Sequence, residues 1–189
     1  MLNINTIAAG GGSILLEKSG RLIVGPESAG ATPGPACYDR GGPLKITDSN
    51  LVTGRIHTNY FPKTFGNNSK KSLSLRASKI LFNQLSDKMN VPIEEIAEGF
   101  ISVADNSMAE AIKKISVQRG YDLREYCLTV FGGAAGQHAC SIAEILDMKT
   151  CLIHPHASVL SAYGMGLAEI RTNKSKIIEK HLTRETLLE

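Results

Sequence analysis

The most restrictive feature of this sequence is a run of small residues, glycine and proline, GPESAGATPGPACY, over residues 25–38. Proline removes backbone donors and glycine removes side chains, so the run cannot form a regular helix or a central strand. It is also too apolar for an ordinary exposed linker. A loop of this length inside a compact region is usually functional or disordered. The sequence therefore predicts a segment rich in strands and loops over residues 1–60, with a loop that is either functional or disordered.

The rest of the chain predicts helices and then alternating strands and helices. Apolar residues recur at helical spacing from Ser69 to Asn90 and from Pro92 to Gly120, which indicates a helical segment over residues 61–120. The alternation beyond residue 120 favours an α/β segment with a partly parallel sheet over residues 121–189. The predicted strands cover residues 13–16, 21–24, 44–47, 127–131, 150–153 and a start at Lys176, and the later predicted helices cover 137–148, 158–170 and 183–189. We expect one α/β domain overall, truncated at its start.

Composition excludes several classes of protein. The net charge is only +3 and the basic residues are spread along the chain, so we expect no nucleic-acid partner. The apolar runs are far shorter than the roughly 18 residues of a membrane span. The first residues lack the basic and apolar regions of a signal peptide. The four cysteines show no CxxC spacing, so we expect free thiols in a cytoplasmic protein.

Two glycine motifs are candidate ligand loops. FGGAAGQH, residues 131–138, lies between a predicted strand and a predicted helix. Gly132, Gly133 and Gly136 would allow a ligand such as a nucleotide to lie directly against the backbone. The spacing is neither that of a P-loop nor that of a dinucleotide fingerprint, so a plain turn is an equal alternative. Gly10, Gly11 and Gly12 follow a short strand and would admit a phosphate or a carboxylate, or serve close packing.

Four further residues are candidates for chemistry. Cys37 would be a nucleophile if a base or a lowered pKa activated it, and a buried apolar role is the alternative. Glu27 is the carboxylate of the same loop. His138 would touch a ligand or cap a helix. Asp48 would ligate Mg²⁺ through oxygen, or serve as a turn or cap residue.

Several segments together resemble the hydantoinase A/5-oxoprolinase family. They are TIAAGGGS at 6–13, GRLIVGPESAGATPGPACYDRGG at 20–42, TDSNLVTGRI at 47–56, MAEAIKKISVQRGYD at 108–122, FGGAAGQHAC at 131–140 and VLSAYGMGLAEIR at 159–171. The endings GQHAC and LSAYG are closer to the 5-oxoprolinase branch than to the hydantoinase branch. One departure is Ala135, where the family usually has glycine.

The resemblance implies part of an actin-like ATPase (ribonuclease H-like) fold and an ATP- and Mg²⁺-dependent opening of a cyclic amide, such as 5-oxoproline or a hydantoin. ATP would phosphorylate the amide oxygen, and water would complete the hydrolysis. Gly132, Gly133 and Gly136 would form the adenosine side of the site. The loop at Gly10–Gly12 would line the cleft. So would the glycine- and proline-rich loop over residues 25–38, which we call the Cys37 loop. A hydantoinase B-like subunit or domain is an implied partner.

The sequence lacks the Asp-x-Gly-Gly-Thr phosphate motif of the family, whose members are several times longer. We therefore expect a fragment that is inactive alone, because its ATP would lack phosphate and metal ligands. A cut domain would leave core faces uncovered, so we also expect homo-oligomers. The alternatives are a non-catalytic nucleotide-binding or assembly module and the related ketone-carboxylase branch.

Overall fold

The computed structural model describes residues 6–7, 9–170, 172, 174–175, 177 and 181. It opens with an antiparallel hairpin of β1 (Ser13–Lys18) and β2 (Arg21–Ser28). Ser19 and Gly20 take positive φ angles of 52° and 79° in the turn, which suits glycine at the second position. The predicted hairpin is confirmed.

A short helix, α1 (Ile46–Val52), follows the glycine- and proline-rich loop. The predicted strand over 44–47 is wrong, and only an isolated bridge joins Lys45 to Ile14. The Asp48 carboxylate accepts a hydrogen bond from the backbone N–H of Lys45 at 2.9 Å. This bond satisfies an N–H at the start of a helix, and it therefore stabilises a helix in place of a strand.

Two long helices form the middle of the molecule. They are α2 (Leu75–Met89) and α3 (Ile93–Ser116). The predicted start of α2 at Ser69 is too early, because Ser74 caps the helix by accepting a hydrogen bond from the Ala77 N–H. Asn90 ends α2 in the left-handed conformation, with φ of 55°, at the predicted position.

The C-terminal part alternates strands and helices as predicted. β3 (Leu128–Val130) pairs in parallel with β4 (Cys151–Ile153), and α4 (Ala139–Ile145) connects them. A last helix, α5 (Leu160–Leu167), follows. The strand predicted from Lys176 and the helix predicted over 183–189 lie outside the described residues. No helix in the described part of the chain is long and apolar enough to cross a membrane.

Helix α3 joins two apolar cores. Its N-terminal half packs Phe100 and Ala104 with α1, α2 and the hairpin, around the fully buried Phe82. Its C-terminal half packs Ala109 against Ile142 of α4. Burying a phenylalanine side chain stabilises a fold by about 1.5–3 kcal/mol, so the first core is the stronger of the two. The division into segments 1–60, 61–120 and 121–189 stays a prediction.

Candidate functional site

The two glycine motifs lie side by side at α1. We call residues 10–12 the N-terminal glycine loop and residues 132–136 the C-terminal glycine loop. The Thr47 hydroxyl donates a hydrogen bond to the Gly11 carbonyl at 2.9 Å. A Cβ atom built on Gly11 would lie 3.1 Å from Thr47 Oγ1 and 3.6 Å from the Ala134 Cβ. The fold therefore brings together two loops that are more than a hundred residues apart in the sequence.

The glycines of these loops serve different needs. Gly132 has a φ of 95°, a conformation that side chains rarely adopt. Gly12 is tightly packed, because a Cβ there would lie 3.0 Å from Ser28 Oγ. A Cβ atom added to Gly133 or Gly136 would meet no described atom within 4 Å, and neither glycine has a positive φ. Neither backbone strain nor packing within the described residues requires glycine at these two positions, so their open backbone remains accessible to a ligand.

Asp48 organises the Cys37 loop. Its Oδ1 accepts hydrogen bonds from the Cys37 N–H and the Ser78 hydroxyl, both at 2.7 Å. Its Oδ2 accepts from the Ala36 N–H at 3.1 Å and the Lys45 N–H at 2.9 Å. We call these five residues the Asp48 cluster. Asp48 is fully buried, and this burial raises the pKa of its carboxyl.

These contacts bear on the predicted roles of Cys37 and Asp48. Cys37 is fully buried, and burial and the Asp48 charge both raise the pKa of its thiol. A nucleophilic cysteine needs the opposite shift. A metal ion at Asp48 would have to displace backbone donors, and the described residues contain no group of three or more His, Cys, Asp or Glu placed to hold a metal. Nucleophilic Cys37 and magnesium-binding Asp48 stay predictions.

Lys45 holds the Cys37 loop in place through a hydrogen bond to Gly30. The residue is fully buried, and its Nζ donates a hydrogen bond to the Gly30 carbonyl at 2.6 Å. Burial lowers the pKa of this amine. Sequence reasoning missed Lys45, which lies inside the predicted strand 44–47, since a lysine is ordinarily exposed.

His138 lies at the centre of a second buried polar group. Its Nδ1 lies 2.5 Å from Asp105 Oδ1, and its Nε2 lies 3.4 Å from Asn50 Nδ2. His138 and Asp105 are each 2% exposed, and Asn50 is fully buried. Arg55 donates a hydrogen bond to the Gln137 carbonyl at 2.9 Å and lies 3.9 Å from Asp105 Oδ2. We call Asn50, Arg55, Asp105 and His138 the His138 network.

Sequence reasoning missed Asp105, although a signal was present. Asp105 lies four residues after Ile101 and four before Ala109, so helical spacing places it on the apolar face of α3. A carboxylate on a buried face requires a partner. The missing information was the identity of that partner, which lies 33 residues away.

An apolar cavity of about 140 Å³ lies under the C-terminal glycine loop. Its lining includes Phe131, Ala135 and His138 from the loop region, Met108 from α3 and Ile142 from α4. The cavity is therefore continuous with the residues that the sequence marks as a nucleotide loop. Glu27 is exposed on β2, and the hydrogen bonds among the described residues connect His138 to neither Glu27 nor Cys37.

The comparisons with known proteins decide the family. The model of the Hydantoinase/oxoprolinase family matches residues 1–174. The chain belongs to this family. It is 47% identical over 179 residues to the 5-oxoprolinase of Dictyostelium discoideum, covering 89% of this chain and 14% of that protein. The chain thus spans about a seventh of the length of this curated hydantoinase/oxoprolinase relative.

Two solved structures share the fold. The ATP-dependent caprolactamase of Pseudomonas jessenii has a TM-score of 0.75 and 38% identity, over 87% of this chain and 23% of that one. Its subunit alpha is also a sequence relative, 37% identical over 188 residues, which is 98% of this chain and 26% of that protein. A nucleotide-free acetone carboxylase has a TM-score of 0.71 over 82% of this chain and 22% of that one, and at 24% identity it shows the fold alone. The predicted family and the predicted α/β, actin-like ATPase fold are confirmed.

Proposed function

We propose that this chain is the part of an ATP-dependent cyclic-amide hydrolase that holds the adenosine side of the nucleotide. The observation that carries the proposal is the open backbone at Gly133 and Gly136, beside Ala134, whose Cβ would lie 3.6 Å from a Cβ built on Gly11 of the N-terminal glycine loop. Open glycines allow a planar ligand to approach the main chain closely. The caprolactamase relative is ATP-dependent by name, which supports ATP as that ligand.

The residues around the C-terminal glycine loop suit an adenosine. The cavity beneath the loop is apolar, and its lining includes the aromatic residues Phe131 and His138. A purine gains stability from burial against apolar and aromatic surface. When bound, ATP would supply the phosphoryl group that activates an amide oxygen. Gly10, which also has open space beside its backbone, would border the phosphate or substrate side.

The proposed substrate of the whole protein is a small cyclic amide, with 5-oxoproline as the first candidate. The relatives support this class, since their names are 5-oxoprolinase and caprolactamase. Mg²⁺ would accompany ATP. As long as the Asp48 carboxylate keeps its four hydrogen bonds, the Mg²⁺ ligands would be residues outside the Asp48 cluster. A hydantoinase B-like subunit or domain is the proposed partner, because the caprolactamase relative is named as a subunit alpha. We place the protein in the cytoplasm and expect homo-oligomers.

The chain alone would not turn over substrate. Its sequence carries no Asp-x-Gly-Gly-Thr segment, and stabilisation of charge on the transferred phosphoryl group is the main catalytic term in such reactions. A turnover assay with 5-oxoproline and ATP tests this point. Clear release of glutamate by the isolated chain would contradict it. The lack of this motif also favours the second candidate function, a nucleotide-binding or assembly module without catalysis of its own.

Calorimetric titration with adenosine and with Mg-ATP tests the proposal. We expect both ligands to bind the full chain, and Gly133→Val to abolish binding, because its side chain would fill the open space beside the loop. Gly164→Val is the matched control, since Gly164 also has an ordinary φ and no described atom nearby but lies in α5. Equal loss in both variants, or no binding by the unmodified chain, would contradict the proposal.

A further inference from the structure

We propose that Asp105 is a positioning residue, which holds the C-terminal glycine loop in its ligand-binding conformation by fixing His138 in one tautomer. Asp105 lies on α3, and its side-chain hydrogen-bond and ion-pair partners among the described residues are His138 and Arg55, so it would act through them. The consequence for nucleotide affinity rests on the function proposed above. The tautomer and the placement of the loop do not depend on that function.

The hydrogen-bond chemistry allows one neutral arrangement of the imidazole. Asp105 Oδ1, a carboxylate oxygen, lies 2.5 Å from Nδ1, so Nδ1 carries the proton and donates it. Asn50 Nδ2 faces the other ring nitrogen at 3.4 Å. An amide NH₂ group only donates, so Nε2 must offer its lone pair. Donation therefore runs from Asn50 to His138 and from His138 to Asp105.

The His138 network is connected to the C-terminal glycine loop by two backbone hydrogen bonds. The Ala135 carbonyl accepts a hydrogen bond from the His138 N–H at 3.1 Å, which closes the turn that ends the loop. The Gln137 carbonyl accepts from Arg55 at 2.9 Å. The end of the loop is thus held by its own turn, by Arg55 and by the His138 ring.

The same network relates the two glycine loops to each other. Asn50 lies on α1, three residues after Thr47, whose hydroxyl binds Gly11. Helix α1 therefore contacts the N-terminal glycine loop through Thr47 and the His138 side of the C-terminal glycine loop through Asn50. Moving His138 would change the separation of the two loops, and the cavity that His138 lines would change with it.

A buried and satisfied histidine could also serve stability alone. A stability role predicts that loss of Asp105 lowers the free energy of unfolding and leaves the loop and its affinity unchanged in the molecules that remain folded. The positioning role predicts a local change at the loop in addition. The two roles are separated by a control variant that destabilises the protein elsewhere.

The first measurement is the ¹⁵N NMR signature of the His138 ring in the full chain. We expect the Nδ1–H tautomer in the unmodified chain and in Asp105→Asn, whose amide oxygen still accepts a hydrogen bond. We expect Asp105→Leu to lose this preference, because the Asn50 contact, at 3.4 Å, is the weaker of the two and its amide can rotate to present its oxygen to an Nε2–H. An Nε2–H tautomer in the unmodified chain, or an unchanged signature in Asp105→Leu, would overturn the proposal.

The second measurement is amide hydrogen exchange at Gln137 and His138. We expect faster exchange in Asp105→Leu, intermediate exchange in Asp105→Asn, and unchanged local exchange in the control Ser78→Ala. Ser78 is buried and binds Asp48, so this control destabilises the other polar cluster without touching His138. Equal acceleration in Asp105→Leu and Ser78→Ala would overturn the proposal. If Asp105→Leu does not fold, Asp105→Asn against Ser78→Ala decides the same question.

The third measurement is the dissociation constant for adenosine. Hydrogen bonds to charged groups are strong enough that we expect about a tenfold weaker affinity in Asp105→Leu, with partial rescue in Asp105→Asn. An affinity no weaker than that of Ser78→Ala would overturn the link to ligand binding. If the unmodified chain binds no adenosine, the proposed function fails, and the tautomer and exchange measurements still decide whether Asp105 positions the loop.

Discussion

Asp48 and Asp105 are both buried carboxylates, and they hold very different parts of the molecule. Asp48 accepts four hydrogen bonds, two from the Cys37 loop, one from Lys45 at the start of α1 and one from Ser78 of α2, and all five residues of its cluster are buried. Asp105 has one hydrogen-bonded side-chain partner, the His138 ring, and one longer ion pair with Arg55, and beyond His138 lies the open C-terminal glycine loop. Asp48 stabilises the buried part of the molecule formed by the Cys37 loop, α1 and α2, which we call the scaffold half. Asp105 supports a surface that remains accessible.

The apolar surfaces around the two carboxylates differ in the same way. Phe82 and Phe100, in the core beside α1, are fully buried. In β4, by contrast, Leu152 and Ile153 are each 56% exposed. Parallel strands are normally covered on both faces, so a two-stranded parallel sheet with an exposed edge strand favours a further covering element. The core beside α1 is thus well buried, whereas the glycine-loop half presents surface for a ligand or partner.

The largest expected effect is that of removing the scaffold carboxylate. Asp48→Ala would leave two loop N–H groups, the Lys45 N–H and the Ser78 hydroxyl without their acceptor. We expect the free energy of unfolding to fall by about 4 kcal/mol, because each unsatisfied buried donor costs about 1–3 kcal/mol. Urea unfolding measures the change. Asp122→Ala, which removes an exposed carboxylate, is the control, and similar losses in both variants would refute the scaffold role.

The reactivity of the cysteines tests the difference between the buried scaffold half and the more exposed glycine-loop half. Cys37 is buried, whereas Cys127 and Cys140 are exposed. We expect an alkylating reagent to label Cys37 at least about a hundredfold more slowly than the exposed pair, since labelling there requires local opening. Mass spectrometry over time measures each rate. Rapid labelling of Cys37 in the native protein would instead support its role as a nucleophile.

The pH dependence sharpens the account of Asp48. Burial raises the pKa of the folded carboxyl, so the folded state binds its proton more tightly than the unfolded state. The stability that protonated Asp48 contributes is then fully present below the unfolded pKa of about 3.9 and is lost as the pH rises through the folded pKa. Urea unfolding of the unmodified chain and Asp48→Asn at pH 4 and pH 7 isolates this group. A difference that favours the unmodified chain more at pH 7 would show that the pKa is lowered instead.

The smallest effect on stability is expected at the exposed strand. Ile153→Lys would place a charge on apolar surface that nothing described covers, and we expect a change in the free energy of unfolding within about 0.5 kcal/mol. Self-association should fall markedly, because the apolar surface is its proposed cause. Sedimentation analysis measures the oligomer distribution. Unchanged oligomers would assign self-association to another surface.

Local patterns in the sequence predict much of the fold. The hairpin at Ser19 and Gly20, the end of α2 at Asn90 and the parallel pairing of β3 with β4 are set by turn residues, caps and strand–helix alternation. The start of α1 was not predictable in this way. The residue pattern around Lys45 predicts a strand. The hydrogen bond from the Lys45 N–H to the Asp48 carboxylate, which favours the start of a helix, is visible only in the structure.

The candidate site was predictable only in its chemistry-bearing residues. The glycines and His138 were identified because their residue types are unusual at those positions. Their partners were not, because the contacts join distant segments. His138 and Asp105 are 33 residues apart, and His138 and Asn50 are 88 residues apart. Sequence spacing carries no information about such pairs, whereas the packing of α1, α3 and α4 does.

Chemical-shift mapping with adenosine is the most direct test of the central claim that the two glycine loops together hold a nucleotide. Adenosine is titrated into the isotopically labelled full chain, and the amide shifts of every assigned residue are followed. The account predicts saturable shifts at Gly133 and Gly136 with adenosine, and additional shifts at the N-terminal glycine loop when Mg-ATP is titrated in its place, with Gly164 and the Asp48 cluster unaffected. Shifts confined to other surfaces, or none up to saturating adenosine, would contradict it.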